Sequence, residues 1–268
     1  MPGLRLSFLG TGDAAQTPVH GCGCPVCERA RKNAAHRRGP SAALLEIAEP
    51  RENNRAPRRW LIDSGLPDLA ERFPGGSLDG IFQTHYHADH AEGLLRLRWG
   101  LGPTLPVSGP DDPEGFADLY KHHGPLDFSK PFAAFERRPL GETSHITAIP
   151  LTHSRPCLGY LIESGPYRLA YLTDTIGLPP ESEAYLKLYR LDLLVLDCTF
   201  PPQETPPRNH NDLTRALQTI AALRPERTLL THIGHTFDAW LESAPACKSL
   251  PPSVSRAHDG LSVICQET

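Results

Sequence analysis

The chain has 268 residues, 27 basic and 31 acidic, for a net charge of −4 and a pI near 6.3. That length suffices for one full-sized core, read as a single domain over residues 1–268. The charge balance offers no global footprint for nucleic acid, and no stretch approaches the ~20 apolar residues of a membrane span. The start, Met1-Pro-Gly-Leu-Arg-Leu, lacks a signal-peptide layout, so a soluble cytoplasmic protein is expected.

In chain order, apolar runs predict strands at Leu4–Leu9, Ala43–Ile47, Arg59–Ile62, Gly80–Thr84, Leu105–Ser108 and Phe132–Phe135. Further strands follow at Ile146–Leu151, Tyr160–Glu163, Leu169–Thr173, Leu193–Asp197, Thr228–Thr231 and Leu261–Ile264. Helical spacing marks Pro67–Arg72, Ala91–Trp99, Pro113–His122, Glu181–Tyr189, Leu213–Leu223 and Phe237–Glu242, with Asp212 as N-cap of the fifth. Glu49–Arg58 reads as a hairpin tip, and the four prolines of Pro201–Asn211 exclude regular structure there. Strands alternating with helices suggest a layered α/β protein whose loops emerge from strand ends.

Residues 85–90 read His-Tyr-His-Ala-Asp-His, directly after the apolar Gly80-Ile-Phe-Gln-Thr84. Packing does not explain three imidazoles and a carboxylate in six residues. Neutral His and ionised Asp are donors that zinc, manganese and iron prefer. Three further donors repeat the pattern, since His153, Asp174 and His232 each follow an apolar run. The seven, His85, His87, Asp89, His90, His153, Asp174 and His232, exceed one tetrahedral site. They suit two metals sharing Asp174, which would polarise a phosphoryl oxygen and activate water at neutral pH. The chemistry indicated is hydrolysis.

Seven cysteines cannot all pair, and three crowd into Cys22-Gly-Cys-Pro-Val-Cys27. In a reducing compartment such a cluster is more often a metal site than a set of bridges. Cys157, Cys198, Cys247 and Cys265 are scattered, with Cys198 read as a small buried hydrophobe after Leu193–Leu196.

His-x-His-x-Asp-His with the downstream His153, Asp174 and His232 resembles the metallo-β-lactamase superfamily. The resemblance implies a four-layer αββα sandwich with its metals at one edge. It assigns one metal to His85, His87 and His153, the other to Asp89, His90 and His232, with Asp174 bridging. Asp63, in Trp60-Leu-Ile-Asp-Ser-Gly65, matches an early Asp that supports a ligand histidine.

Leu9-Gly-Thr-Gly12 and Thr173-Asp-Thr175 resemble the nuclease and phosphodiesterase branch. The cysteine cluster, Arg208-Asn-His-Asn-Asp-Leu213 and Thr231-His-Ile-Gly-His-Thr-Phe-Asp-Ala-Trp240 are together similar to the PhnP-like phosphodiesterases of phosphonate degradation. Tyr86, Leu95-Arg-Leu-Arg-Trp-Gly100 and Leu126-Asp-Phe-Ser129 fit the same family. Its substrate would be 5-phospho-α-D-ribosyl 1,2-cyclic phosphate and its product ribose 1,5-bisphosphate. The family implies manganese in the active site, where His and Asp donors also accept zinc or iron. It makes His235 the fourth ligand of a structural zinc with Cys22, Cys24 and Cys27.

The resemblance also puts His210 over the metals as general acid, and Asp89 is taken as both ligand and catalytic residue. Arg208 is a candidate phosphate ligand, because guanidinium grips phosphate bidentately. A homodimer is a family expectation; membrane and nucleic acid are not expected partners. The arginine-rich Glu49–Arg58 departs from the family pattern and is read as a surface insertion. The rivals are a tRNA 3′-processing endonuclease, which shares the seven ligands, and a non-catalytic metal-binding protein on the same fold.

Overall fold

Alternation along Gly3–Gly10 (β1) buries Leu4, Leu6 and Phe8 on one face. A period of two with one apolar face is the signature of a strand covering a core. The computed structural model describes residues 3–48, 56–205, 207–243 and 250–265. The tip of the expected hairpin at Glu49–Arg58 and Cys247 lie outside the described residues.

Two seven-stranded sheets result. The first runs β14 (Ser262–Cys265), β1, β2 (Ala42–Ala48), β3 (Arg58–Ile62), β4 (Gly80–Phe82), β5 (Leu105–Ser108), β6 (Leu126–Asp127). The second runs β13 (Val254–Arg256), β12 (Arg227–Thr231), β11 (Leu193–Asp197), β10 (Tyr167–Leu172), β9 (Leu158–Ser164), β8 (Ser144–Pro150), β7 (Arg137–Pro139). Leu6, Phe8, Trp60 and Phe82 of the first sheet meet Ile146, Tyr160, Tyr171 and Val195 of the second in the central core.

Outer layers cover both sheets. Leu69 of α2 (Leu69–Arg72), Ala91 of α3 (Ala88–Ala91) and Leu94 of α4 (Leu94–Leu97) pack on the first. Leu186 of α5 (Pro180–Leu186), Ala216 of α6 (Leu213–Leu223) and Phe237 of α7 (His235–Ser243) pack on the second. This is the expected αββα sandwich. Among the described residues no helix is long and apolar enough to cross a membrane.

Register decides where the site lies. Strands β10, β11 and β12 run parallel, pairing Leu172 with Leu196 and Asp197 with Thr231. Strands β3 and β4 are also parallel, pairing Ile62 with Phe82. Residues just past their carboxyl ends therefore emerge together at one edge, where α/β sheets place ligands.

Three expectations fail locally. Phe132–Phe135 is not a strand: Phe132 makes an isolated bridge to Pro110, Phe135 has φ 59°, and the strand forms at β7 instead. Pro113–His122 is a set of turns, because the Asp112 carboxylate accepts from Glu114 N and Gly115 N and competes with a helical ladder. Ala91–Trp99 divides into α3 and α4 around Gly93, where a Cβ would lie 2.4 Å from Leu66 O. The helix α1 (Pro25–Lys32) and the short strands β6 and β13 were not anticipated.

Candidate metal centres and active site

The donors stand on the loops past β4, β8, β10 and β12, with Asp89 and His90 on the first turn of α3. His87 caps that helix in extended conformation, so its ring turns back toward His85. Asp63, Asp174 and His232 each follow a strand with φ 62°, 58° and 56°. That left-handed region is uncommon for non-glycine residues, with Asp, Asn and His the most tolerant.

The seven donors form two groups that share one residue. In the first, His87 Nδ1 lies 2.9 Å from His85 Nε2 and 3.1 Å from His153 Nε2. Asp174 Oδ2 is 3.7 Å from each of those Nε2 atoms. In the second, Asp89 Oδ2 lies 3.4 Å from His90 Nε2 and 3.3 Å from His232 Nε2. The other oxygen, Asp174 Oδ1, is 3.2 Å and 3.5 Å from the same two nitrogens. Ligands at ~2.0–2.2 Å around a tetrahedral ion stand roughly 3.4 Å apart, so both groups fit a divalent cation. The buried His90 Nε2 has no hydrogen-bond partner, as a nitrogen reserved for a metal should be.

Outer hydrogen bonds fix the rings. His90 Nδ1 donates to Asp63 Oδ2 at 2.7 Å, the supporting role expected of Asp63. His85 Nδ1 donates to Thr84 Oγ1 at 3.1 Å, His153 Nδ1 to Asn209 O at 3.1 Å and His232 Nδ1 to Thr199 Oγ1 at 3.0 Å. Each leaves an Nε2 lone pair pointing inward. The buried Gln83 amide donates to His85 O at 2.9 Å and His90 O at 2.6 Å, pinning both ends of the ligand loop.

Electrostatics carry the same message. Burial alone would push His232 down, but Asp174, Asp89 and Asp197 raise it to about 9. Burial likewise opposes the charge on His90, yet Asp174, Asp63 and Asp89 hold it well above its ordinary value. Against burial, His232 and His90 keep Asp174 well below the usual carboxylate range, and the same pair depresses Asp89. Burial, then His90, lowers His85. The pocket demands positive charge among its carboxylates, which divalent ions supply in place of protons.

His210 stacks over this centre, its ring centroid 4.7 Å from that of His232 at an interplanar angle of 15°. Its Nδ1 donates to Asp197 Oδ2 at 3.0 Å and lies 3.9 Å from Asp174 Oδ2. Asp197, fully buried, also accepts from Thr175 N and from the Thr199 hydroxyl that holds His232. Asp197 was not among the expected residues, although it too ends an apolar strand. Arg208 is exposed and, among the described residues, makes no bond to the centre. Arg155 was also missed: its guanidinium donates to Tyr86 O at 3.3 Å and forms an ion pair with Asp112 Oδ2 at 2.7 Å, bracing the ligand loop.

A separate cluster joins Cys22, Cys24 and Cys27 to His235 Nδ1, at 3.6, 3.5 and 3.6 Å. With Zn–S ~2.3 Å and Zn–N ~2.0 Å, a tetrahedral zinc separates sulfur from nitrogen by roughly 3.5 Å. The four donors therefore fit a closed zinc site linking α1 to the start of α7. Cys198 is fully buried, as its sequence context suggested.

The fold and paired donor groups define an αββα protein with candidate metal-binding sites at one sheet edge. The beta-lactamase superfamily domain matches residues 58–233, and the chain belongs to the metallo-β-lactamase superfamily. It is similar to the crystal structure of a new diphosphatase from the PhnP family, with TM-score 0.75 and 26% identity, covering 99% of this chain and 98% of that one. It is 29% identical to an octanoyltransferase of Porphyromonas gingivalis over 98% of this chain and 52% of that protein. It is 28% identical to ribonuclease Z of Methanosarcina acetivorans over 66% of this chain and 55% of that protein. The chain thus spans about half the length of these curated relatives.

Proposed function

We propose that the chain is a dinuclear metal-dependent phosphodiesterase, with His85, His87 and His153 on one ion, Asp89, His90 and His232 on the other, and Asp174 bridging. The observation that carries this is the division of the Asp174 oxygens, Oδ2 toward one nitrogen pair and Oδ1 toward the other. Two divalent ions, manganese foremost and zinc or iron by the same donors, would neutralise charge on a phosphoryl group and activate water. His210, its Nδ1 engaged by Asp197, keeps Nε2 for the substrate and donates its proton to the departing oxygen as the P–O bond breaks. Asp89 stays ionised between His90 and His232, where it can accept a hydrogen bond from the attacking water.

The substrate we infer is 5-phospho-α-D-ribosyl 1,2-cyclic phosphate, opened to ribose 1,5-bisphosphate in phosphonate catabolism. Support comes from the full-length likeness to the PhnP-family diphosphatase, beside this chain's cysteine and His210 motifs, which resemble that family's. Opening the ring expels an alkoxide, the kind of leaving group that needs His210. Phosphorus NMR of the ribosyl cyclic phosphate with manganese-loaded protein tests this. The expected result is the bisphosphate alone; an untouched diester, alongside active hydrolysis of bis(p-nitrophenyl) phosphate, would reject the substrate and keep the chemistry.

The likeness to ribonuclease Z favours a second reading, tRNA 3′-end processing. A salt-sensitive affinity for tRNA and cleavage at its 3′ end would select it.

A further inference from the structure

A second cavity, of about 330 Å³, opens against α1 and α7 beside the Cys3His cluster. Its volume is at the lower end of the ~300–1,000 Å³ typical of small-ligand pockets. Arg29, His36, Arg37, Arg38, Arg256 and His258 line it. Asp238 and Glu242 are the carboxylates that oppose them. The basic residues come from three separate parts of the chain, so the fold, and not a local charge run, concentrates them.

The two carboxylates are already committed. Asp238 takes Arg38 Nε at 2.7 Å and Nη2 at 3.2 Å, and also accepts from Arg256. Glu242 takes both terminal nitrogens of Arg29, at 3.0 Å and 2.5 Å. Arg38 is buried, and its Nη1 donates to Thr11 Oγ1 and Ala257 O, so it forms a rigid floor. Arg37 is exposed, and among the described residues its side chain bonds only through Nε, to Ala30 O at 3.1 Å. His258 donates through Nδ1 to Asp259 O and leaves Nε2 at the exposed rim, near the exposed His36. Four guanidinium groups against two carboxylates leave an excess of two positive charges before either imidazole is counted.

We propose that this cavity binds a small phosphorylated molecule, its phosphate dianion meeting Arg37 and the rim imidazoles. A phosphate monoester carries about two negative charges at neutral pH, which matches the excess. Nucleic acid backbone is the other source of phosphate. A single concavity between two helices suits one compact headgroup better than a run of phosphates, and the whole chain is acidic. The helices on either side are the ones joined by Cys22, Cys24, Cys27 and His235, so the cluster also fixes the cavity walls. The cavity shares no lining residue with either candidate metal centre, and only the inhibition readout rests on the hydrolytic reading.

Calorimetric titration of the metal-loaded protein with phenyl phosphate, paired with inhibition of bis(p-nitrophenyl) phosphate hydrolysis, tests it. Two classes of site are expected, only one of them inhibitory. Arg37→Ala and Arg37→Glu, at an exposed position, should weaken the non-inhibitory class at least tenfold and leave both turnover and the inhibition constant unchanged. His258→Ala should weaken it in the same direction. A single class that coincides with inhibition, or binding indifferent to both Arg37 variants, overturns the proposal. A short single-stranded RNA that binds through Arg37 and is not displaced by phenyl phosphate overturns it in favour of nucleic acid.

Discussion

Asp197 Oδ2 and His210 Nδ1 lie 3.0 Å apart, which fixes the ring and holds that same Nδ1 3.9 Å from Asp174 Oδ2. Neither residue belongs to the seven-donor set. If His210 supplies the leaving-group proton, His210→Ala should lower turnover by roughly 10²–10⁴-fold with both ions retained. Asp197→Asn should fall within the same roughly 10²–10⁴ window and distort the pH profile, because an amide can favour the wrong tautomer. Steady-state kinetics beside metal analysis checks both, and near-normal turnover in His210→Ala would remove it from the mechanism.

Loading the centre should release protons. In the metal-free protein His90 is raised well above its ordinary value and His232 to about 9, so both are charged at neutral pH. Their ion pairs stabilise the metal-free fold fully below the unfolded imidazole range, and the part from His232 is lost as pH rises through about 9. Apparent metal affinity moves the opposite way, climbing with pH as the competing protons leave. Calorimetry in buffers of different ionisation enthalpy measures the release; a heat independent of buffer would contradict it.

Asp63 touches no ion in the proposed arrangement yet holds His90 at 2.7 Å. Asp63→Asn preserves the left-handed backbone and removes the charge. Affinity for the ion on His90 should fall by roughly 10–100-fold, read by competition with a chelator.

Gly65 is an unassuming position with a demanding neighbour. A Cβ there would stand 1.9 Å from Asp89 O and 2.8 Å from Ser41 O, both backbone atoms. Gly65→Ala should force α3 away and cost about 1–3 kcal/mol. It should release the ion on Asp89 and His90 before that on His85 and His87. Equal retention of both would show that the helix moves without harm.

Removing one sulfur separates the two kinds of metal. Cys22→Ser should lose a single zinc equivalent, lower the melting temperature, and leave the active-site ions in place. An unchanged zinc count would sink the structural site.

Much of the site was legible because His153, Asp174 and His232 each follow an apolar strand and His85–His90 follows another, and the parallel register of β10, β11 and β12 brings such ends together. Asp197 follows the same rule but escaped notice, since its partner His210 sits in a proline-rich loop that no periodicity reveals. The helix α1 hid for another reason: only Val26, Cys27 and Ala30 are buried along it, too few for a strong apolar stripe. Pro113–His122 misled in the opposite direction. Phe116, Leu119 and Tyr120 have helical spacing, but φ of 55° at Gly115 and 49° at Ala117 belongs to turns. Local side-chain capture by Asp112 overrode the pattern.

The left-handed backbones at Asp63, Asp174 and His232 restrict which substitutions can report on chemistry alone. Alanine at any of them removes a functional group and also adds conformational strain of order 1–3 kcal/mol, so lost activity and lost stability become entangled. Asparagine tolerates the same torsion. By the same reasoning, a descendant of this chain that abandoned its metals would still be steered toward asparagine, aspartate or glycine at these three places. The memory of the centre would then persist in its backbone after its chemistry had gone.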